Sequence, residues 1–256
     1  MLSGKTIIVT AGLGGIGLEM TLALLRGGAD VIPTSRSRVN IDKVSASIPA
    51  ELLSRFHPMI LSLDSDDGID AFVGCLDRVP NGSVYGLVNN AVCRSDIDDV
   101  ACVDRGIWAE HYGVNVFANA RLTKLVAENV MLDGGAVVNI SSFYSVNVPD
   151  NRVYDEGTSP TSLIYASSKA AQNYITRYMA VRYAPRNIRV NAILAGGVAN
   201  PERQSDAFVE KYAMRTPMGR MAKSDEFNDA LLMLLSPDNT FCTGQLISID
   251  GGWGLL

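Results

Sequence analysis

A β-branched run that ends in a glycine-rich loop and opens directly into a helix constrains this chain more than any other feature. Thr6-Ile7-Ile8-Val9-Thr10 reads as a strand, Ala11-Gly12-Leu13-Gly14-Gly15 as a loop, and Ile16 to Arg26 as a helix. A second strand pattern, Asp30 to Thr34, follows at once, which makes a parallel β-α-β unit the economical reading. Glycines at such a turn allow close backbone approach to a pyrophosphate, whose charge sits at the helix N-terminus. Gly12, Gly14 and Gly17 fit G-x-G-x-x-G, while Gly15 and Gly17 fit the end of T-G-x-x-x-G-x-G. The loop therefore announces a dinucleotide without choosing a family.

The alternation continues. Strand patterns recur at Met59 to Leu63, Val84 to Asn89, Ala136 to Ile140, Ile188 to Ile193 and Leu246 to Ile249. Helical stretches separate them, the clearest at Asp104 to Asn129, Leu163 to Tyr183 and Asp225 to Leu235, with Pro185 and Pro237 as stop signals. This predicts an α/β fold, a doubly wound parallel sheet with helices on both faces. No linker divides residues 1–256, so a single domain is expected. The net charge is −5 with no basic run, which argues against a nucleic-acid partner. No signal peptide and no apolar stretch of membrane-spanning length is apparent, so a cytoplasmic location is expected. Cys75, Cys93, Cys102 and Cys242 form no C-x-x-C pair, and the two histidines, His57 and His111, give a metal site or a Ser-His-Asp triad little to work with.

The chemistry points to Tyr165-Ala-Ser-Ser-Lys169, with Ser142 upstream at a strand end. Four residues apart on a helix, the phenol and the ammonium share a face. A phenol titrates near about pH 10, and lowering it to about 7 takes roughly 4 kcal/mol of differential stabilisation. A close cation in a partly desolvated cleft supplies much of that, giving an acid/base for carbonyl–alcohol chemistry.

Other segments select a family. Asn89-Asn90-Ala91 closes the fourth strand, Asn115 lies inside a long helical pattern, and Ser142 follows Val137-Val138-Asn139-Ile140. Gly219-Arg220-Met221, Thr243-Gly244-Gln245 and Asp250-Gly251-Gly252 follow at suitable intervals. Together with Tyr165 and Lys169, these segments resemble the compact branch of the short-chain dehydrogenase/reductase family over essentially the whole chain. The resemblance implies a Rossmann-like sheet and an NAD(P)-dependent oxidoreductase. It implies Tyr165 as proton donor or acceptor and Lys169 as the charge that lowers the phenol and holds the nicotinamide ribose. Ser142 would hydrogen-bond the substrate oxygen, and Asn115 would support a water chain behind Lys169. Thr10, Gly12, Gly14, Gly15, Ile16, Gly17, Asn89, Ala91, Val198 and Asn200 would line the cofactor, with Asp64 at the adenine. The chain departs from the pattern at Ala11, Val92, Ala195 and Asn200. Ala11 and Val92 are tolerable there provided their backbone angles are negative.

The cofactor's 2′ position is read at the end of the second strand. Thr34-Ser35-Arg36-Ser37-Arg38 carries no acid there, and Arg36 suits a 2′-phosphate, so NADP(H) is favoured over NAD(H). Between Ser142 and Tyr165 the chain is about ten residues longer than its resemblance implies. The excess is polar: Asn147, Asp150, Asn151, Arg152, Tyr154, Asp155 and Glu156. Its Pro149-Asp150, aromatic and Glu156-Gly157 order is similar to that of relatives acting on sugar-like compounds. A small polyhydroxy ketone is therefore the expected substrate, with a 3-ketoacyl thioester as the alternative. A nucleotide-binding scaffold without turnover is the reading from another class. Residues Asn200 to Met218 are expected to form a mobile lid. The helices at Asp104–Asn129 and Leu163–Tyr183 resemble those that pair subunits in this family, so a homotetramer or dimer is expected.

Overall fold

The computed structural model describes residues 2–94, 104–155 and 160–256. Cys102, Glu156 and Gly157 lie outside the described residues. Seven strands form one sheet: β1 (Thr6–Val9), β2 (Asp30–Ser35), β3 (Met59–Ile60), β4 (Gly86–Asn89), β5 (Gly135–Ser142), β6 (Ile188–Ala195) and β7 (Leu246–Ile249). They are parallel throughout, in the order β3-β2-β1-β4-β5-β6-β7. Every residue of β1, β4 and β5 is buried, as expected of strands covered on both faces.

Strand alternation divides the core in two. Ile7 and Val9 of β1 face one apolar layer with Val31, Val88, Val138 and Ile193, closed by α1 (Gly15–Arg26) and by a later helix over Asn228–Leu235. Ile8 faces the other layer, with Ile32, Leu87, Val137 and Val190. That layer is closed by Ile69 and Phe72 of the helix Asp66–Gly74 and by Leu122 and Val126 of the helix Asn119–Asn129. In chain order the helices are α1, α2 (Arg38–Ser45), α3 (Asp66–Gly74), α4 (Arg105–Tyr112), α5 (Asn119–Asn129), α6 (Leu163–Tyr183), α7 (Asp206–Arg215) and α8 (Asn228–Leu235).

Five elements differ from the pattern read in the sequence. The expected helix from Asp104 to Asn129 is two helices joined by a π-helical turn over Gly113–Ala118, with Asp104 as the N-cap of α4. α2 and α3 are short helices, each opened by a capping serine, Ser37 and Ser65. The strand expected from Met59 to Leu63 pairs only over two residues, because the sheet ends there. The segment from Asn200 to Met218, expected as a mobile lid, contains α7, capped by Ser205 and anchored by buried Tyr212.

Candidate active site

The order of connection reverses between β1 and β4, and at such a switch point the strand ends diverge into a crevice. A cleft of about 850 Å³ lies there, lined among others by Gly14, Ser35, Arg36, Asp64, Ala91 and Arg94. Gly14 and Gly15 have no atom within 4 Å of the place where a Cβ would stand. Gly14 also caps α1 without a side chain, so the first-turn N–H groups keep their capacity for an anion. Gly17 serves packing: a Cβ there would meet the Ala11 carbonyl and the Asn90 amide at 2.5 Å. The groups present thus fit a dinucleotide laid across the loop.

Two departures read differently in three dimensions. Ala11 has φ +49°, not the negative angle its tolerance was expected to need, and it holds that left-handed conformation with its N–H on Thr34 Oγ1 at 3.3 Å. Val92 is 45 % exposed, so its extra bulk meets no tight place.

Several residues expected at the cofactor serve as framework. Thr10 is fully buried; its hydroxyl accepts from the N–H groups of Asn90 and Ala91, both at 2.9 Å, and ties the glycine loop to the end of β4. The Asn89 amide is fully buried and donates to Thr123 Oγ1 and Asn139 Oδ1, not to the cleft. Asn139 in turn donates to Thr176 Oγ1 on α6. The neighbour that the sequence reading passed over, Asn90, reaches the glycine loop, its amide donating to the carbonyls of Thr10 and Ala11. Gly12 receives the Thr21 hydroxyl at its carbonyl, and Ile16 packs against the core. Val198 bridges to Ala222, and Asn200 turns its side chain to the Glu202 N–H at 3.2 Å. Arg36 pairs with Asp64 at 3.4 Å at the cleft's edge, both side chains largely exposed.

The reacting end is built by β5, α6 and the π-turn. Ser142 ends β5, buried, beside Ala195 of β6. Ser162 caps α6 on the N–H of Tyr165, which fixes the phenol in the first helical turn. The Ser142 hydroxyl, which accepts from the Tyr144 N–H, acts on that phenol to favour its charged form. One turn on, Lys169 is buried, and its ammonium donates to the Ile140 carbonyl at 2.7 Å and to Gln172 Oε1 at 3.2 Å. Burial pulls its pKa down to about 7. The π-turn directs Asn115 inward, fully buried, where it bonds both Cys93 backbone groups and Ser168 Oγ. Its own carbonyl accepts from the Asn119 amide.

The electrostatics correct one expectation. Burial raises the Tyr165 phenol above its usual range, and the opposing influences are Arg94 and Ser142, not Lys169. The Lys169 ammonium lies 5.9 Å from the ring centroid, turned toward Ile140 and Gln172. The Arg94 guanidinium stands over the ring at 5.5 Å. No residue motif in the sequence marks Arg94; only its place after Asn89-Asn90-Ala91 hinted at the cleft.

The charged residues of the insertion that are described, Asp150, Arg152 and Asp155, pair within the chain. Asp150 pairs with Arg152 at 2.7 Å and with Arg215 of α7 at 3.4 Å, and Asp155 pairs with Lys211 at 3.1 Å and with Ser205. Tyr154 joins Tyr144 and Thr161 by its hydroxyl and packs its ring on Phe208. Beneath lies an apolar cluster of Phe143, Tyr144, Val153, Tyr212, Met221 and Trp253. The insertion is therefore a clamp that seats α7 beside the active site.

A family model described as enoyl-(acyl carrier protein) reductase matches residues 11–254. The 3-oxoacyl-(acyl-carrier-protein) reductase of Thermotoga maritima is 31% identical over 256 residues, covering 98% of each chain. The chain belongs to the short-chain dehydrogenase/reductase family. It is an NAD(P)-dependent oxidoreductase with the family's parallel-sheet fold. The L-xylulose reductase of Caenorhabditis elegans is also 31% identical, over 255 residues covering 97% of this chain and 95% of the relative. Among solved structures, a short-chain dehydrogenase from Leptospira borgpetersenii with bound NAD+ superposes with TM-score 0.86 at 26% identity, covering 99% and 94% of the two chains.

Proposed function

We propose that this chain uses NADPH to reduce the carbonyl of a small polyhydroxy ketone to a secondary alcohol. The observation that carries the reading is the grouping of Ser142, at the end of β5, with Tyr165 and, one helical turn on, buried Lys169, whose ammonium reaches back to the Ile140 carbonyl of β5. A bound nicotinamide supplies the hydride. Ser142 holds the substrate oxygen, and Tyr165 gives that oxygen its proton as the carbonyl carbon is reduced. Lys169 holds the ribose in this reading, its ammonium fixed by the Ile140 carbonyl and Gln172, while Arg94 and Ser142 favour the phenolate left behind. Asn115 and Thr10 keep the π-turn and the glycine loop in register. Gly12, Gly14, Gly15, Ile16, Gly17, Asp64, Asn89, Ala91, Val198 and Asn200 complete the cofactor's surroundings in this reading, several of them through the framework and not by contact.

NADPH is favoured by Ser35 and Arg36 at the end of β2. An exposed ion pair such as Arg36–Asp64 contributes about 0–1 kcal/mol, so a 2′-phosphate exchanges with Asp64 at little cost. The polyhydroxy substrate draws support from the likeness to an L-xylulose reductase and from the polar groups at the reacting end, Arg94 and the Tyr144–Tyr154 hydroxyl pair. The 31% likeness to a 3-oxoacyl-(acyl-carrier-protein) reductase favours a second reading, reduction of a 3-ketoacyl thioester. Ketoses, keto-sugar acids and an acetoacetyl thioester offered with NADPH and NADH separate the two. Turnover of the sugars with NADPH, and a loss of NADPH over NADH selectivity in Arg36→Ala, are expected. Turnover of the thioester alone, or equal losses for both cofactors in Arg36→Ala, would overturn the corresponding half.

We take residues 1–256 as one catalytic domain, since one sheet carries both apolar layers. A homotetramer or dimer is part of the reading: Tyr174, Tyr178 and Val181 form an exposed apolar stripe along α6 that a second copy would cover. Cys75, Cys93 and Cys242 are free thiols, which suits the reducing cytoplasm. No helix among the described residues is long and apolar enough to cross a membrane.

A further inference from the structure

Arg94 is a cation that the reaction scheme above leaves unused. It follows the end of β4 in the segment Asn90-Ala91-Val92-Cys93-Arg94, is exposed, and lines the cleft. Its guanidinium stands over the Tyr165 ring at 5.5 Å, and its charge also acts weakly on Tyr144. Among the described residues no carboxylate pairs with it, whereas the cleft's other ionic edge, Arg36, is matched by Asp64. Glu110, an acid of the same cleft lining, instead receives the Cys93 thiol at 3.8 Å.

We infer that Arg94 is the specificity residue for an anionic substrate, a ketone whose short polyhydroxy chain ends in a carboxylate. Resting on the reading of this chain as a polyhydroxy-ketone reductase, the inference names the subclass of ketone. A guanidinium presents paired N–H donors that match the two oxygens of a carboxylate and fix its orientation. Set against the proton-donating phenol, it fixes the end of the substrate from which the carbonyl is counted. A neutral ketose leaves that charge without a partner, so the site discriminates by an interaction the wrong substrate cannot make. Net reaction and balance are unchanged: hydride from the reduced nicotinamide to carbonyl carbon, proton from Tyr165 to oxygen.

The test compares wild type with Arg94→Leu and Arg94→Lys. One arm measures kcat/KM with NADPH for a keto-sugar acid, a ketose phosphate and a neutral ketose. The other measures binding of gluconate to the protein–NADP+ complex by calorimetry, together with NADPH affinity. Arg94→Leu is expected to lose about 100-fold in kcat/KM on the keto-sugar acid, the scale of a lost hydrogen bond between charged groups, and at least about tenfold less than that on the neutral ketose, whose loss reports only the influence on Tyr165. Gluconate binding should vanish in Arg94→Leu and return in part in Arg94→Lys, with NADPH affinity unchanged. Equal losses on acid and neutral substrates would show Arg94 acting on Tyr165 alone and overturn the inference. A parallel loss of NADPH affinity, or a wild-type preference for the ketose phosphate, would overturn it as well. Wild type that reduces no sugar of any kind would refute the underlying reading, and the gluconate arm then judges Arg94 separately.

Discussion

Ala11 and Lys169 show how single residues depart from what their letters promise. Ala11 sits at φ +49°, a conformation that costs a non-glycine residue about 1–2 kcal/mol. Ala11→Gly should therefore stabilise the protein by about 0.5–1 kcal/mol after the greater flexibility of the unfolded chain is subtracted. Urea unfolding checks this, and a lower midpoint for the variant would contradict it. Lys169 is held by Ile140 and Gln172 with a pKa lowered to about 7. Deprotonation as pH rises through that value removes the charge that holds the nicotinamide ribose in this reading, so kcat/KM for reduction should fall on the alkaline side of about 7. In Lys169→Arg, whose guanidinium stays charged, this alkaline limb should move up even as the rate drops. An unmoved limb would assign it to another group. The triad of Ser142, Tyr165 and Lys169 was legible because its spacing obeys strand-end and helix-face geometry. Arg94 over the Tyr165 ring was not, since that contact joins two segments whose spacing carries no signal.

At the scale of elements, strands read well and boundaries read poorly. β1, β2, β5 and β6 are largely buried, and their β-branched, mostly apolar letters identify them. The break between α4 and α5 left no mark, because the π-turn over Gly113–Ala118 preserves helical composition while shifting register. The insertion was legible as an insertion but not in its use. Its polar letters suggested contacts to a substrate, whereas Asp150 and Asp155 bind Arg215 and Lys211 of α7. The cluster below is assembled from residues 143–144, 153–154, 208–212, 221 and 253, a set with no period to detect. Trp253 is its hub, 4.9 Å from the Phe143 ring and 4.6 Å under the Arg215 guanidinium. Trp253→Ala should cost about 3–5 kcal/mol of stability. It should also raise KM for the ketone while leaving NADPH affinity nearly intact, since the dinucleotide half of the cleft does not use it. Steady-state kinetics with cofactor titration tests this, and a primary loss of NADPH binding would contradict the clamp.

At the scale of the molecule, one topological feature positions everything else. Reversal between β1 and β4 opens the crevice, the glycine loop and Arg36 edge one half of it, and β5 with α6 carries the reacting groups to the other. A chain of net charge −5 thus sets Arg36, Arg94 and Arg203 against Asp64 and Glu110 in a single cleft, an excess of positive charge suited to anionic ligands. A nucleotide-binding scaffold would need the first half alone. The most direct discrimination is Tyr165→Phe, which removes one hydroxyl and keeps the ring beneath Arg94. With a saturating polyhydroxy ketone, turnover should fall by about 10²–10⁴-fold, the usual contribution of a positioned proton donor. NADPH affinity, followed by nicotinamide fluorescence, should stay within about threefold, because the hydroxyl contributes at most one hydrogen bond of order 1 kcal/mol. Unchanged turnover in Tyr165→Phe would contradict the assignment of the phenol as the proton donor, and tight NADPH binding with no turnover in wild type would return the chain to the scaffold reading.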